Sequence, residues 1–361
     1  MSDSFDPQNV NLDEADPRDI TCYLNAGENE YDGRMGARIS SLFVILIVST
    51  AATLFPVLAT RIRRLHIPLY VYLFARYFGA GVIIATAFIH LLDPAYDEIG
   101  PASCVGMTGG WAEYTWPPAL ALTSAMIIFL MDFAADYYVS VRYGTKDVSV
   151  EDTVTGQTGE EHHGHPVNKD SPRKSDGASF DDIEEFKNLE SDSEEALASF
   201  RQQIAAFLIL EFGILFHSVM IGLNLGVVGD EFSTLYPVLV FHQSFEGLGI
   251  GARLSVIPFP RRFRWMPWAL CLAYGLTTPI AIAIGLGVRT TYNSGSFTAN
   301  VVSGVLDSIS AGILLYTGFV EMLARDFIFN PHRTNDKTRL IFMLVSLYLG
   351  CIIMALLGKW A

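Results

Sequence analysis

Apolar residues along this chain are gathered into eight long blocks that are separated by polar connections. Each block comes close to or exceeds the roughly 20 residues that an α-helix needs to cross a bilayer. Short alternating segments, which are typical of a transmembrane barrel, do not occur between them. The pattern therefore predicts an all-α integral membrane protein with eight transmembrane helices. These predicted spans, numbered 1 to 8, are residues 39–60, 68–92, 117–140, 202–228, 233–252, 266–288, 299–324 and 340–358.

Only 17% of the residues are charged, and they lie mostly outside the spans. The net charge of −14 arises chiefly in residues 1–36 and 144–200, and acidic segments with few aromatic residues do not form a core. We therefore expect an acidic extracellular segment over 1–36, spans 1–3 within 37–143, a disordered loop over 144–200 and spans 4–8 within 201–361. The sequence lacks a basic patch for nucleic acid and, before span 1, the apolar region of a cleavable signal peptide.

The distribution of Lys and Arg among the connections predicts the orientation. Cytoplasmic connections are enriched in these residues, whereas Asp and Glu contribute little. The connections after spans 1, 5 and 7 are rich in Lys and Arg, and those after spans 2 and 4 have neither. Both termini are therefore expected outside the cell, with the loop over 144–200 in the cytosol.

Ionisable side chains within the spans indicate an ion pathway, because a charge at the bilayer centre costs about 2.5 kcal/mol or more and must face protein or water. His242 and Glu246 lie one helical turn apart in span 5, and His217 lies deep in span 4 with Asn224 on the same face. Two imidazoles and a carboxylate suit a borderline divalent metal such as Zn²⁺ or Fe²⁺. Spans 2, 4 and 7 carry further candidates for this pathway, which are His90, Glu211, Asp307 and Glu321.

The remaining spans are predicted to act as scaffold. Spans 1, 6 and 8 carry no ionisable side chain within their predicted limits. Spans 4 and 5 contain glycines, and Gly247 and Gly251 have the spacing that permits close helix packing. We expect these glycines, with Gly222 and Gly226, to bring spans 4 and 5 together at the histidines.

Four motifs carry a family resemblance. They are FIHLLDPAYDEIG in span 2, EFGILFHSVMIGLNLG in span 4, FHQSFEGLGIGA in span 5 and SISAGILLYTGFVEML in span 7. Together they resemble the ZIP (Zrt/Irt-like protein) family of zinc and iron transporters, most of all its fungal plasma-membrane branch. The resemblance implies a ZIP-type bundle in which spans 1–3 and 6–8 form an inverted repeat around spans 4 and 5. It also implies import of Zn²⁺ into the cytosol by alternating access.

The resemblance assigns roles to the polar residues of these motifs. It implies a central transport site formed by His217, His242 and Glu246, with Gln243 and Ser218 beside it. It places the metal entrance at His90, Asp93 and Asp97 and the exit at Glu321.

Depth and charge, rather than the resemblance, place Asp307 at the entrance and Glu211 at the exit. A structural hydrogen bond is the alternative role for both.

Two departures from the family pattern bear on the number of metal ions. Some members have a glutamate where this chain has Ile221 and another where it has Thr278, and those carboxylates help to hold a second metal. Their replacement here predicts one principal metal. The transported ion is expected to be Zn²⁺, with Fe²⁺, Mn²⁺ or Cd²⁺ as alternatives, and no organic cofactor is expected.

Two other functions compete with this interpretation, one that uses the same residues and one, a receptor, that uses the acidic loop. A membrane-embedded zinc hydrolase also needs histidines and a carboxylate, but it usually shows H-E-x-x-H on one helix. His242 and Glu246 have the opposite order and no second histidine in that spacing. A metal-sensing receptor is the third interpretation. We expect a transporter rather than an enzyme.

The soluble segments carry further candidates. Residues His162, His163 and His165 form a small cluster in the loop that could sense zinc or be merely solvated, and the loop lysines are accessible to the ubiquitin machinery. Cys22 and Cys104 both lie outside in the predicted topology, where they form either a disulfide or two free thiols. Metal ions and the lipid bilayer are the other expected partners. The sequence allows both a monomer and a homodimer.

Overall fold

The computed structural model describes residues 8, 10, 11, 13, 15–25, 31–62, 68–143, 180–291, 293, 295–329 and 334–359. Every regular element in this part of the chain is helical. A short N-terminal helix, Pro17–Asn25, precedes eight long helices, and 3₁₀ turns lie at Gly109–Glu113 and Arg261–Phe263. The long helices are α1 (Met35–Arg61), α2 (Leu69–Ile99), α3 (Trp116–Tyr143), α4 (Phe180–Val227), α5 (Phe232–Val256), α6 (Met266–Val288), α7 (Phe297–Ile328) and α8 (Lys337–Leu357).

Two of these helices contain π-helical segments. In α2 the segment is Thr86–Leu92, which carries His90, and in α7 it is Thr317–Ile328, which carries Glu321. Apolar periodicity does not reveal such segments, which are rare and are found frequently at functional sites.

Within the described residues, seven helices are long and apolar enough to cross a membrane: α1, α2, α3, the part of α4 from Phe200, α6 with the turn before it, α7 and α8. The exception is α5, which has 25 residues and is therefore about 37 Å long. His242, Gln243 and Glu246 make its middle polar. Seven of the eight predicted spans are thus supported by length and composition alone.

The chain divides into two compact units. The larger contains Met1–Leu130 and Ile204–Ala361, and the smaller contains Met131–Gln203. The smaller unit holds the C-terminal part of α3 and the N-terminal part of α4. All contacts described below lie within the larger unit.

The predicted disordered loop ends earlier than expected. Helix α4 begins at Phe180, so residues 180–200 are helical rather than disordered. This segment is rich in Glu, which favours helix, and it directly precedes an apolar span that extends the same helix. The part of the predicted loop over 144–179 lies outside the described residues.

The larger unit contains two sets of helices that pack mainly among themselves. We call α1, α4, α5 and α6 the first bundle, and α2, α3, α7 and α8 the second. In the first, Ile45, Leu225, Leu239 and Ile282 form one buried apolar cluster that joins all four helices. In the second, α2 packs along α8 and α7, and Ser124 of α3 donates to a carbonyl of α7. Helix α5 also contacts α2, so it connects the bundles.

The closest contacts of the glycines in α4 and α5 are with other helices. A Cβ atom at Gly251 would overlap the carbonyl of Thr53 on α1, and one at Gly249 would lie 2.9 Å from the carbonyl oxygen of Gly79 on α2. Gly222 lies against α6. The expectation that these glycines bring spans 4 and 5 together is therefore wrong. They pack each helix against neighbouring helices rather than α4 against α5.

Helix α1 carries a buried charge that the predicted span limits excluded. It begins at Met35, and Arg38 is fully buried. Its guanidinium pairs with Asp32 at 2.8 Å and donates to the carbonyls of Leu225, at 2.9 Å, and Val228. Those carbonyls lie at the C-terminal end of α4, where backbone acceptors are unpaired and cations are favourable. The first turn of α1 therefore positions the end of α4 that follows His217.

A disulfide links the N-terminal helix to the connection between α2 and α3. Cys22 and Cys104 are bonded, across 82 residues of sequence. The structure thus has the disulfide rather than the two free thiols. It holds the N-terminal helix close to the C-terminal end of α2.

The tight contact between α5 and α1 leads to a test of stability. Gly251→Ala should destabilise the protein by about 1–3 kcal/mol, because the added methyl group overlaps the Thr53 backbone and the helices must separate. Gly287→Ala is the matched control, since nothing lies within 4 Å of the added atom there. Thermal unfolding of the detergent-solubilised variants measures both. Equal melting temperatures for the two variants would contradict this packing.

Candidate metal centre

Three buried side chains meet where α4 faces α5. The Nε2 atoms of His217 and His242 are 3.2 Å apart, and Nε2 of His242 is 3.4 Å from Oε1 of Glu246. The three residues are at most 2% exposed, and one ligand atom from each lies within 4.8 Å of the others. Two atoms bound tetrahedrally to Zn²⁺ at about 2.0–2.1 Å are about 3.3 Å apart. The observed spacing therefore suits a single metal ion between them.

Glu246 lacks compensation for its charge. Neither of its carboxylate oxygens has a hydrogen-bond partner among the described residues, and the Thr86 hydroxyl beside it does not meet hydrogen-bond geometry. Removal of a carboxylate from water costs several kcal/mol unless a cation balances it. A divalent cation between Glu246 and the two imidazoles would supply that balance.

His90, which the resemblance assigns to the metal entrance, lies directly beside this cluster. Its ring centroid is 4.7 Å from that of His242, edge to face. Its Nε2 is 3.2 Å from the carbonyl oxygen of Met354 on α8. A backbone acceptor on one ring nitrogen leaves the other for a metal and fixes the ring orientation. The π-helical segment of α2 thus brings a third imidazole to the centre.

Helix α6, predicted to be scaffold, contributes to the polar shell of the site. The Tyr274 hydroxyl donates to Oε1 of Gln243 at 2.8 Å, and Nε2 of Gln243 lies 3.4 Å from the Ser218 hydroxyl. These contacts place Gln243 and Ser218 next to the histidines, as expected. Tyr274 was not among the predicted site residues. In the sequence, only its hydroxyl group within an apolar span could have indicated a role at the site.

A cavity of about 640 Å³ extends from the two central histidines to one end of the helices. That end carries the connections α2–α3, α4–α5 and α6–α7, and we call it the outer end because the Lys and Arg distribution predicts that it lies outside. Glu98, at the end of α2, was missed by the sequence analysis although it follows Asp97 directly. Polar residues in the cavity wall are His90, Asp93, Asp97, Glu98, His217, Asn224, Glu231, His242, Asn293, Ser303 and Asp307.

Two carboxylates in this wall, Glu98 and Asp307, interact with the Ser303 side chain but are only partly satisfied by it. Asp307 is 4% exposed, and one oxygen of Asp307 and one of Glu98 are buried without a hydrogen-bond partner in the described structure. The described lining contains no Lys or Arg. The cavity is therefore strongly attractive to cations.

The expected exit residues lie on the opposite side of the centre. Glu321 is already paired, since its Oε2 is 2.6 Å from Nη2 of Arg253 and its Oε1 is 2.9 Å from Nη2 of Arg325. Glu211 is 9% exposed and has one unpartnered oxygen. Neither Glu321 nor Glu211 thus lines the cavity, and Glu321 forms ion pairs with two arginines.

The loop residues His162, His163 and His165 lie outside the described residues.

Comparison with known proteins identifies the family to which this chain belongs. The family model described as ZIP Zinc transporter matches residues 35–358. The chain is 58% identical to Zinc-regulated transporter 1 of Saccharomyces cerevisiae over 99% of this chain and 97% of that protein. It is 40% identical to Zinc-regulated transporter 1 of Schizosaccharomyces pombe, over 98% of this chain and 92% of the other. It is 34% identical to Zinc-regulated transporter 2 of Saccharomyces cerevisiae, over 95% and 99% respectively. The chain therefore belongs to the ZIP family of zinc transporters.

Proposed function

We propose that this protein imports Zn²⁺ across the plasma membrane into the cytosol, through a transport site formed by His217, His242 and Glu246. The observation that carries this proposal is the buried, uncompensated carboxylate of Glu246 facing two imidazoles at metal-ligand spacing. Family membership supports zinc as the substrate, since the relatives compared above are named zinc-regulated transporters.

His90 belongs to this site in our proposal. With it, the donor set becomes three imidazoles and one carboxylate, which favours Zn²⁺ over the harder Mn²⁺. Fe²⁺ and Cd²⁺ are accommodated by the same donors. Ile221 stands in the cavity wall where a second metal would need a carboxylate, which supports one principal metal ion.

The arrangement of the bundles supports alternating access. The metal site lies between α4 and α5 of the first bundle and His90 of the second. Movement of the first bundle past the second would therefore carry the ion from the outer cavity towards the inner end. The π-helical segments of α2 and α7 support an inverted repeat, since they occur at equivalent positions of spans 2 and 7. We include α5 as the eighth span, with both termini outside.

The membrane potential is a sufficient driving force for this transport. About 100 mV, negative inside, is worth about 2.3 kcal/mol per elementary charge, or about 4.6 kcal/mol for a dication. This corresponds to about a thousandfold gradient of Zn²⁺. A second coupled ion is therefore not required.

The hydrolase alternative has less support. A hydrolytic zinc site keeps an open position for water and a general base, whereas Glu246 is fully buried and stands at ligand distance. Zinc uptake into proteoliposomes separates the two functions, since a hydrolase would not accumulate the ion.

The first test removes the charge of the central site. Glu246→Gln preserves the shape of the side chain but cannot balance a divalent ion, so zinc uptake should fall by about 100-fold or more. Ser244→Ala is the matched control on α5, because its hydroxyl bonds only to the Val240 carbonyl of its own helix. Uptake of radioactive zinc by proteoliposomes with equal amounts of protein is the measurement. Near-normal uptake by Glu246→Gln would show that the site is elsewhere.

The second test concerns the outer cavity. Glu98→Gln and Asp307→Asn should each raise the zinc concentration for half-maximal uptake by about tenfold, because a negative charge is lost where the cation is attracted. The maximal rate should change much less. Asp230→Asn is the control, since that side chain is 100% exposed and outside the cavity wall. The idea fails if all three variants saturate at the same zinc concentration.

A further inference from the structure

At the inner end of the helices, opposite the cavity, two contacts join α5 to the second bundle. Nη2 of Arg253 donates to Oε2 of Glu321 at 2.6 Å, and the two side chains are only 13% and 5% exposed. Two residues further along α5, the hydroxyl of Ser255 lies 3.2 Å from that of Tyr72 on α2. Both contacts join the first bundle to the second at the same end of α5.

Arg253 lies on the face of α5 that carries the metal ligands. His242, Glu246 and Arg253 occupy positions i, i+4 and i+11, which share one face of a helix. With a rise of 1.5 Å per residue, Arg253 is about 10 Å beyond Glu246. A metal ion that leaves Glu246 along this face meets a guanidinium group of the same sign of charge.

The two arginines that pair with Glu321 belong to different bundles. Arg325 follows Glu321 by one turn on α7, where its Nη2 is 2.9 Å from Oε1, and it moves together with the carboxylate. Arg253 belongs to the other bundle. Arg325 also contacts Oε2 through its Nη1, at 3.1 Å, so the two arginines share this oxygen and saturate the carboxylate. Glu321 therefore gains a free acceptor position for a metal ion only when Arg253 withdraws. Arg325 then still compensates the buried carboxylate.

We propose that Arg253 is the inner gate residue of the transporter. Its ion pair with Glu321 holds α5 against α7 while the cavity is open at the outer end, and the pair separates each time a metal ion is released. This inference rests on the proposed function, since it requires that α5 moves relative to α7 during transport. Arg253 is a positioning residue, because it acts through Glu321.

The first experiment measures how readily the inner end opens. Ser255→Cys is introduced after replacement of Cys271 and Cys351, the free cysteines of the described structure, by alanine. In inside-out vesicles, the rate of reaction with a membrane-impermeant maleimide reports opening at position 255. Adding Arg253→Gln should raise this rate about fivefold, as expected for loss of a partly buried ion pair. Arg253→Lys keeps the charge but not the two-pronged donor and should raise it less.

Arg264→Gln is the matched control for this experiment, because Arg264 is an exposed arginine in the connection after α5. Its labelling rate should equal that of the parent protein. An unchanged rate with Arg253→Gln overturns the proposal.

The second experiment tests separation while Arg253 and Glu321 stay intact. Cross-linking of the double variant Tyr72→Cys/Ser255→Cys in the same background with a short bis-methanethiosulfonate reagent, which spans the space left by the tyrosine ring, should abolish zinc uptake, and a reductant should restore it. Zinc should still raise the melting temperature of the cross-linked protein, because the outer cavity and its metal site remain accessible. The background protein treated alike controls for reduction of the bond between Cys22 and Cys104. Uptake that survives the cross-link overturns the proposal.

The labelling rate does not depend on which residues bind the metal, so the two hypotheses fail separately. If Glu246→Gln retains uptake, the proposed metal site is wrong, and the labelling rates still test whether Arg253 is the gate residue. If Glu246→Gln loses uptake but Arg253→Gln leaves labelling unchanged, only the gate fails.

Discussion

The buried carboxylate of Glu246 is the constraint on which the arrangement of the helices depends. It is fully buried in the middle of α5, and it has no hydrogen-bond partner in the described part of the chain. Such a group is tolerated only where water and lipid are excluded and a cation can be bound. Helix α5 therefore has to be surrounded by other helices. Its polar residues would make it unstable as an isolated span in lipid.

The shielding comes from five neighbouring helices, each with a distinct contact. Glycines let α5 approach α1 and α2 at backbone distance. His242 meets His217 of α4, Gln243 accepts from Tyr274 of α6, and Arg253 pairs with Glu321 of α7. The apolar and small residues of α5 thus pack against the neighbouring helices. Its polar residues lie where the helix meets the path of the ion.

The sequence revealed the chemistry of the site more fully than its geometry. Buried ionisable residues are conspicuous in apolar spans, so His217, His242 and Glu246 could be selected from charge and spacing alone. Depth in one helix does not determine which other helix lies opposite. His90 was therefore placed at the entrance, although the π-helical segment of α2 and the Met354 carbonyl hold it against His242.

The helix contacts were less predictable for a similar reason. Small residues at four-residue spacing indicate close packing but do not identify the partner, and α4 and α5 use theirs against α1, α2 and α6. Arg38 was missed because it lies just before an apolar run, where an arginine would ordinarily reach water. Its burial depends on carbonyls at the end of α4 that are distant in sequence. Tyr274 and Glu98 show no periodic signal, and only tertiary structure brings them to the site and the cavity.

In the proposed transport mechanism, the two ends of the ion path have opposite electrostatics. At the outer end, carboxylates without basic neighbours in the described lining attract a dication and lead it towards three imidazoles. At the inner end, a carboxylate is already neutralised by arginines, so it offers the ion no site and presents a positive charge. An apolar plug would block the ion only by its volume and by the cost of desolvation. An ion pair between two bundles blocks it by charge as well, and its separation exposes a carboxylate at the moment when the released ion needs a ligand.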